Sequence, residues 1–172
     1  MQKFIVQIIG PSCSGKSTLV SELGKVFPGV YNVAYDKLKW QLAGYHRDQH
    51  RELVRQLELG VFEVTCKMGL PILLEALIRD QAEFDEYKTL ADKFGYQIIS
   101  VALTAPQEIL LTRFRERIVS AKATGGRVSV TDEALYLSNL QRPVFMLVGT
   151  PVFDTSVMST EEIVDEVSKL IG

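Results

Sequence analysis

A chain of 172 residues, 47% hydrophobic and 23% charged, fits one soluble domain with enough apolar side chains for a real core. Its formal net charge of −2 lacks the basic excess of a dedicated nucleic-acid binder, so long DNA or RNA is not expected as its main partner. Two cysteines, Cys13 and Cys66, form neither a disulfide framework nor a metal spacing, no run nears the ~18 apolar residues of a membrane span, and Met1-Gln2-Lys3 opens no signal peptide, so a cytoplasmic protein with no membrane partner is expected.

Apolar runs alternate with amphipathic stretches. Phe4 to Ile9 is short, β-branched and stopped by Gly10-Pro11, which predicts a buried strand. Ser17 to Val26 predicts a helix closed by Pro28-Gly29, and Val30 to Tyr35 a second strand. Residues 48–68 place Leu53, Leu57, Val61 and Val64 at spacings of four, four and three, which predicts a long helix buried along that stripe. Pro71 to Leu77 and Gln97 to Leu103 predict strands three and four, with a helix over 80–94 between them. Pro106 opens a helix to about Ala123, broken by Gly125-Gly126. A helix over about 131–145, a short strand at Pro151–Phe153, and a last helix capped by Ser159 or Thr160 complete the pattern. Five strands alternating with helices indicate an α/β fold with a parallel sheet covered on both faces. Ala123 to Val130 is the most loop-like interior stretch, where mobility is expected.

Residues 10–17 read Gly-Pro-Ser-Cys-Ser-Gly-Lys-Ser, the full phosphate-loop (Walker A) pattern, with a strand before it and a helix after it. Gly10 and Gly15 permit the turns that aim backbone N–H groups inward. Pro11, Ser12, Cys13 and Ser14 are the loop between them. The next helix presents its positive end to an anion, Lys16 sets a charge on the outer phosphates, and the Ser17 hydroxyl suits Mg²⁺. Thr18 is a further candidate contact. Cys13 reads as a small filler, with a redox-sensitive thiol as the rival reading.

With this motif in place, the chain resembles the small P-loop kinases of the nucleoside-monophosphate-kinase-like group. It is most similar to their gluconate-kinase, polynucleotide-kinase and zeta-toxin-like branch. The resemblance implies a three-layer α/β/α P-loop fold, one kinase domain over 1–172 with a helical lid at about 113–130, and the cofactors ATP and Mg²⁺. It implies that Asp36 faces the acceptor hydroxyl, which a carboxylate can orient and deprotonate, and that Lys39 is a substrate contact. Capping and solvation are the plain alternatives for these two residues. Glu75 ends an otherwise apolar strand, where a carboxylate is costly unless it meets a polar site; metal, acceptor and a structural pairing with Arg79 all stay open. Relatives often carry Asp there with Asn three residues on, whereas this chain has Glu75 and Ile78. Arg113 and Arg117 share a helical face, and the resemblance puts the first against the adenine and the second on the phosphates, with Arg127 joining on closure. A solvated helix with Glu108 and Glu116 as partners is the rival. Phe153 to Ser156 implies a backbone loop past the adenine, although Asp154 serves equally as a turn former. His46 and His50 lack a third ligand for zinc and read as a solvated helix start. Trp40, Tyr45 and Tyr35 are pocket lining or ordinary packing.

The activity expected is transfer of the γ-phosphate of Mg·ATP to a hydroxyl of a small acceptor, with Lys16, Asp36 and Arg117 as the catalytic set. A 5′-hydroxyl polynucleotide or nucleoside kinase and a non-catalytic nucleotide-binding module are the alternatives. A GTPase switch is disfavoured, because the sequence has no Asn-Lys-x-Asp segment and no Asp-x-x-Gly after strand three.

Overall fold

In the computed structural model, which describes residues 3–172, the first apolar run becomes β1 (Ile5–Ile9), buried along its whole length. Met1 and Gln2, read above with the N-terminus, lie outside the described residues. The one polar side chain of β1, Gln7, accepts the Ser100 hydroxyl at 2.7 Å through Oε1, so that oxygen is not left unpaired in the core. The phosphate loop leads into α1 (Lys16–Val26), and β2 (Tyr31–Ala34) runs directly into a short helix, α2 (Tyr35–Lys39). Then follow α3 (Arg47–Lys67), β3 (Ile72–Glu75), α4 (Gln81–Lys93) and β4 (Ile98–Thr104). The chain ends with α5 (Gln107–Thr124), α6 (Glu133–Leu140), β5 (Val152–Asp154) and α7 (Thr160–Ile171).

All strand pairs are parallel, in the order β2-β3-β1-β4-β5. Helices α1 and α7 cover one face, where Leu19, Leu23, Ile163 and Val167 pack with Val6, Ile8 and Leu103. Helices α3 and α4 cover the other, where Phe62, Cys66, Tyr87 and Ala91 pack with Ile5, Ile72 and Leu74. This is the expected three-layer P-loop fold with a five-stranded parallel sheet. Because β1 lies between β3 and β4, the chain leaves it in opposite directions on the two sides, which opens a crevice at the carboxyl ends of the strands.

The local stops have local causes. Asp80 caps α4 by accepting from the Glu83 N–H at 3.0 Å, and Asp132 caps α6 by accepting from Leu135 at 2.7 Å. Ser159, not Thr160, caps α7 in a reciprocal box with Glu162. Gly125 ends α5 in the left-handed conformation.

Three expectations need correction. In α3 three of the four stripe residues are exposed, Leu53 and Leu57 at 48% each and Val64 at 56%, while Val61 packs partly buried against the core. The buried face instead carries Val54, Leu59, Phe62 and Cys66, with Arg55 and Glu58 among them. Two apolar stripes compete on this helix, and the one holding the large aromatic wins, with Arg55 paired to Glu52 and Glu86 and Glu58 bonded through one oxygen to Tyr87. The helix expected to reach 145 ends at Leu140, since Pro143 lacks an N–H and pushes Arg142 away from helical geometry. Strand three ends at Glu75 instead of Leu77, so residues 76–80 form a loop at the crevice.

Candidate active site

The phosphate loop hangs between β1 and α1. Gly10 has φ 145° and Gly15 has φ 98°, and a Cβ on Gly10 would meet the Leu103 carbonyl oxygen at 2.4 Å, so only glycine fits there. Cys13 also adopts a left-handed φ, 68°. Nothing in its residue type signals this; the loop imposes it. Gly15 starts α1 without any side-chain cap, leaving the first N–H groups of the helix available to an anion. Lys16 folds back across the loop, donating to the carbonyls of Gly10 and Pro11 at 2.8 Å each. Burial pushes its ammonium below the usual lysine value, while the charges of Glu75 and Asp36 oppose that shift and Arg117 adds to it. Those carboxylates and that guanidinium line the same cleft as Lys16.

Asp36 sits in the first turn of α2. Its carboxylate is paired with the Lys39 ammonium one turn on. Lys39 is not solvated: it is 6% exposed, lies 4.9 Å from the Trp40 ring centroid, and donates to the Ser129 hydroxyl at 2.7 Å. Arg127 donates to the Trp40 carbonyl at 3.1 Å. The loop after α5 is thus attached to α2. Glu75 accepts from the Asn32 amide at 3.0 Å. Arg79 does not pair with it, binding Glu83 instead through Nε at 2.9 Å and Nη2 at 2.7 Å.

On the other side of β1, Arg113 is held by Thr155, with Nη1 on the hydroxyl and Nη2 on the carbonyl, both at 2.8 Å. Thr155 in turn donates to the Thr104 carbonyl at 3.1 Å. Arg117 makes no ion pair among the described residues and lines the same cleft as Lys16 and Asp36. Glu108 and Glu116 hold neither of them; Arg115 turns away to Glu133 at 2.8 Å. Tyr136, which sequence reasoning passed over, stacks on Phe114 at 4.1 Å, and its hydroxyl lies 3.0 Å from the Ser12 carbonyl and 3.2 Å from that of Leu110. It ties α6 and α5 to the phosphate loop. An isolated tyrosine in a helix far along the chain carries no signal for such a contact.

The remaining candidates are structural. Asp154 accepts the Ser156 N–H at 2.8 Å as a turn former, and His50 accepts the His46 N–H at 2.8 Å through Nδ1. Among the described residues no three His, Cys, Asp or Glu converge on a metal position. Ser17 and Glu75 face the cleft as a sparse hard-oxygen set. That set fits a Mg²⁺ that takes most of its oxygens from phosphate and water, and does not fit a resident metal cage.

The cleft that joins Lys16, Ser17, Asp36, Glu75, Arg113 and Arg117 measures about 1240 Å³, and Lys39 and Arg127 are not in its lining. Its floor is the phosphate loop, and its walls are α2 and the 76–79 loop on one side and α5 with Thr155 on the other. A family profile described as AAA domain matches residues 5–137. The chain belongs to this AAA domain family. A search of the curated proteins finds no match. Among solved structures, a candidate kinase from Chloroflexus aurantiacus is similar at 17% identity over 98% of each chain, with a TM-score of 0.74. The Mycobacterium tuberculosis APS kinase, solved with AMPPNP and APS, is similar at 19% identity over 99% of this chain and 98% of its own, with a TM-score of 0.64. A gluconokinase from Sinorhizobium meliloti is similar at 18% identity over 99% and 91%, with a TM-score of 0.59. These likenesses establish a kinase-like P-loop fold for this AAA-domain protein.

Proposed function

We propose that the protein is an ATP-dependent phosphotransferase that moves the γ-phosphate of Mg·ATP to a hydroxyl of a small-molecule acceptor. The observation that carries this reading is that Lys16, Asp36, Glu75 and Arg117 line one cleft at a phosphate loop with an uncapped helix behind it. A nucleotide-binding module without chemistry would not need a carboxylate facing the phosphate end.

In this reading the loop from Gly10 through Thr18, through the N–H groups of its non-proline residues, and the α1 N-terminus hold the β- and γ-phosphates. Lys16 and Arg117 neutralise charge on the moving group. Asp36 orients the acceptor hydroxyl in line and takes its proton as the new O–P bond forms and the bond to the β-phosphate oxygen breaks, releasing ADP. Mg²⁺, when bound through Ser17 and the phosphates, adds neutralising charge. Phosphoryl transfer through a loose transition state needs positioning and charge neutralisation more than covalent chemistry. Arg113 is preset beside Thr155 as a flat, charged surface for the adenine. Lys39 and Glu75 flank the acceptor. Residues 113–130 act as the lid of a single kinase domain, and closing it excludes water. Two free cysteines and the lack, among the described residues, of a helix long and apolar enough to cross a membrane accord with a cytoplasmic setting.

The test is Mg·ATP turnover by the purified protein with a panel of hydroxyl acceptors, repeated with Asp36→Asn. Transfer to one acceptor, cut about a hundredfold or more in Asp36→Asn with ATP affinity retained, is expected for a carboxylate acting on the hydroxyl. Equal turnover in the variant would sink the role given to Asp36, and absence of ATP binding would remove the whole reading.

A further inference from the structure

The acidic excess of the whole chain does not extend to the cleft. Apart from Lys16, Arg113 and Arg117, its walls carry Lys37, Arg47, Arg51, Arg79 and Arg142. Among the described residues, the only carboxylates in its lining are Asp36 and Glu75. ATP accounts for the first three cations. The others need a different explanation, because like charges gathered in a cleft repel one another unless an anion joins them.

Three of these cations form one array. Arg47 and Arg51 lie four residues apart on α3 and so share a face. Arg51 and Arg79 are fixed by a single carboxylate, Glu83, which takes Arg51 Nη2 at 3.1 Å and Arg79 Nη2 at 2.7 Å. Glu83 also accepts the Arg79 N–H at 2.8 Å. Glu83 is buried and does not line the cleft, whereas Arg51 and Arg79 both do. Two guanidinium charges thus share one carboxylate placed behind them. A guanidinium has five N–H donors, and among the described residues Nη1 of both arginines and Nε of Arg51 have no acceptor. Arg47 makes no ion pair among the described residues. The nearby Glu52 and Glu86 are engaged by Arg55 at 2.7 and 3.0 Å, and none of that trio lines the cleft.

The array is also on the wrong side for ATP's base. It hangs from α3 and the loop after β3, whereas Arg113 stands with Thr155 after β5, and the strand order puts β1 and β4 between them. It lines the same cleft as Asp36, and Tyr35, the residue before Asp36, donates from its hydroxyl to the backbone carbonyl of Arg51 at 3.5 Å. Resting on the kinase reading above, we propose that the acceptor is itself an anion, a small hydroxyl compound carrying a phosphate, sulfate or carboxylate. That group sits against Arg47, Arg51 and Arg79 while the hydroxyl faces Asp36. Guanidinium forks suit all three oxyanions.

Two measurements on the full chain test this. In the first, the phosphate loop is filled with Mg·AMPPNP and the protein is titrated with sodium sulfate against sodium chloride at matched ionic strength, read by calorimetry. Saturable sulfate binding is expected, weakened about tenfold or more in an Arg47→Ala/Arg79→Gln variant, with a smaller change for AMPPNP. Both side chains are exposed, so the variant should fold. Sulfate indistinguishable from chloride, or bound equally by the variant, would overturn the proposal. If AMPPNP does not bind, the kinase reading fails on its own, and the sulfate titration is run on Lys16→Ala, which disables the loop and keeps the arginines; saturable binding there supports the array and its absence overturns it. In the second, acceptors are offered as neutral and anionic pairs: a sugar and its aldonic acid, glycerol and glycerol 3-phosphate, a nucleoside and its 3′-monophosphate. The anionic member is expected to be favoured about tenfold or more in kcat/KM, with the preference shrinking in the variant. Preference for the neutral member, or for a 5′-hydroxyl oligonucleotide over the nucleoside 3′-monophosphate, would overturn a small anionic acceptor.

Discussion

At the nucleotide end of the cleft, positions are held by backbone and by short contacts to it: loop amides, an uncapped helix, and Arg113 fixed on Thr155. At the acceptor end they are held by long side chains bonded to one another, with Lys39 between Asp36 and Ser129, and Glu83 between Arg51 and Arg79. The first kind of construction demands particular residues at particular spacings, since only glycine tolerates a carbonyl as close as that of Leu103 to Gly10. The second can be assembled from many residue choices. Under the proposed kinase reading, that difference suits one end that must hold the same cosubstrate and another that is free to diverge in what it accepts.

The largest effect expected lies at the nucleotide end. Lys16→Ala removes the buried ammonium that spans the loop, and transfer should fall by about a hundredfold or more, measured as single-turnover phosphoryl transfer. If Lys16→Ala lost acceptor affinity as strongly as it lost ATP affinity and rate, the two ends would not be separable.

The next effect concerns the ground under the acceptor end. Glu58 on α3 is 0% exposed and accepts the Tyr87 hydroxyl at 2.9 Å, and its other oxygen has no hydrogen-bond partner among the described residues. Burial pushes its carboxyl up from 4.5 to about 8, and the charge of Asp36 adds to the rise. The folded protein therefore keeps a proton that the unfolded chain releases. The resulting contribution to stability is complete below pH 4.5 and is lost as pH rises through about 8. Urea unfolding should show stability falling by on the order of a few kcal/mol across that window, and Glu58→Gln should flatten the fall. An unchanged slope in the variant would mean that Glu58 titrates normally.

A smaller change is expected from Arg113→Ala, which should weaken ATP about tenfold, as for loss of a charged contact, while acceptor KM moves less. Equal shifts in both would contradict its placement with the nucleotide.

How far the sequence alone reached follows the same division. The five parallel strands and the strand–loop–helix around the phosphate loop were readable, because each rests on short-range spacing or on apolar runs that a parallel sheet must bury. The buried face of α3 was misread, because Arg55 and Glu58 interrupt it and only their partners on α4, Glu86 and Tyr87, make them tolerable there. Helix α2 was missed because five residues carry no period. Tyr136 and the Glu83 node were invisible for a common reason: each depends on residues far apart in the chain, brought together by the fold.

The smallest effect would test the attachment between the two regions. Ser129 lies in the loop after α5, the helix that carries Arg113, yet its hydroxyl accepts from Lys39 on α2. Ser129→Ala removes one hydrogen bond to a charged donor at an exposed position, and Lys39 keeps its pairing with Asp36. The loss should be near the low end for such bonds, about 1 kcal/mol, seen as a roughly threefold to fivefold fall in kcat/KM for the acceptor. Hydrogen exchange should quicken over residues 125–130, since a loop held by fewer contacts opens more often. ATP affinity without acceptor should barely move, because Arg113 and the phosphate loop do not depend on this bond. If ATP affinity fell as much as acceptor turnover, the loop would belong to the nucleotide end as well, and the cleft would have to be treated as one cooperative unit.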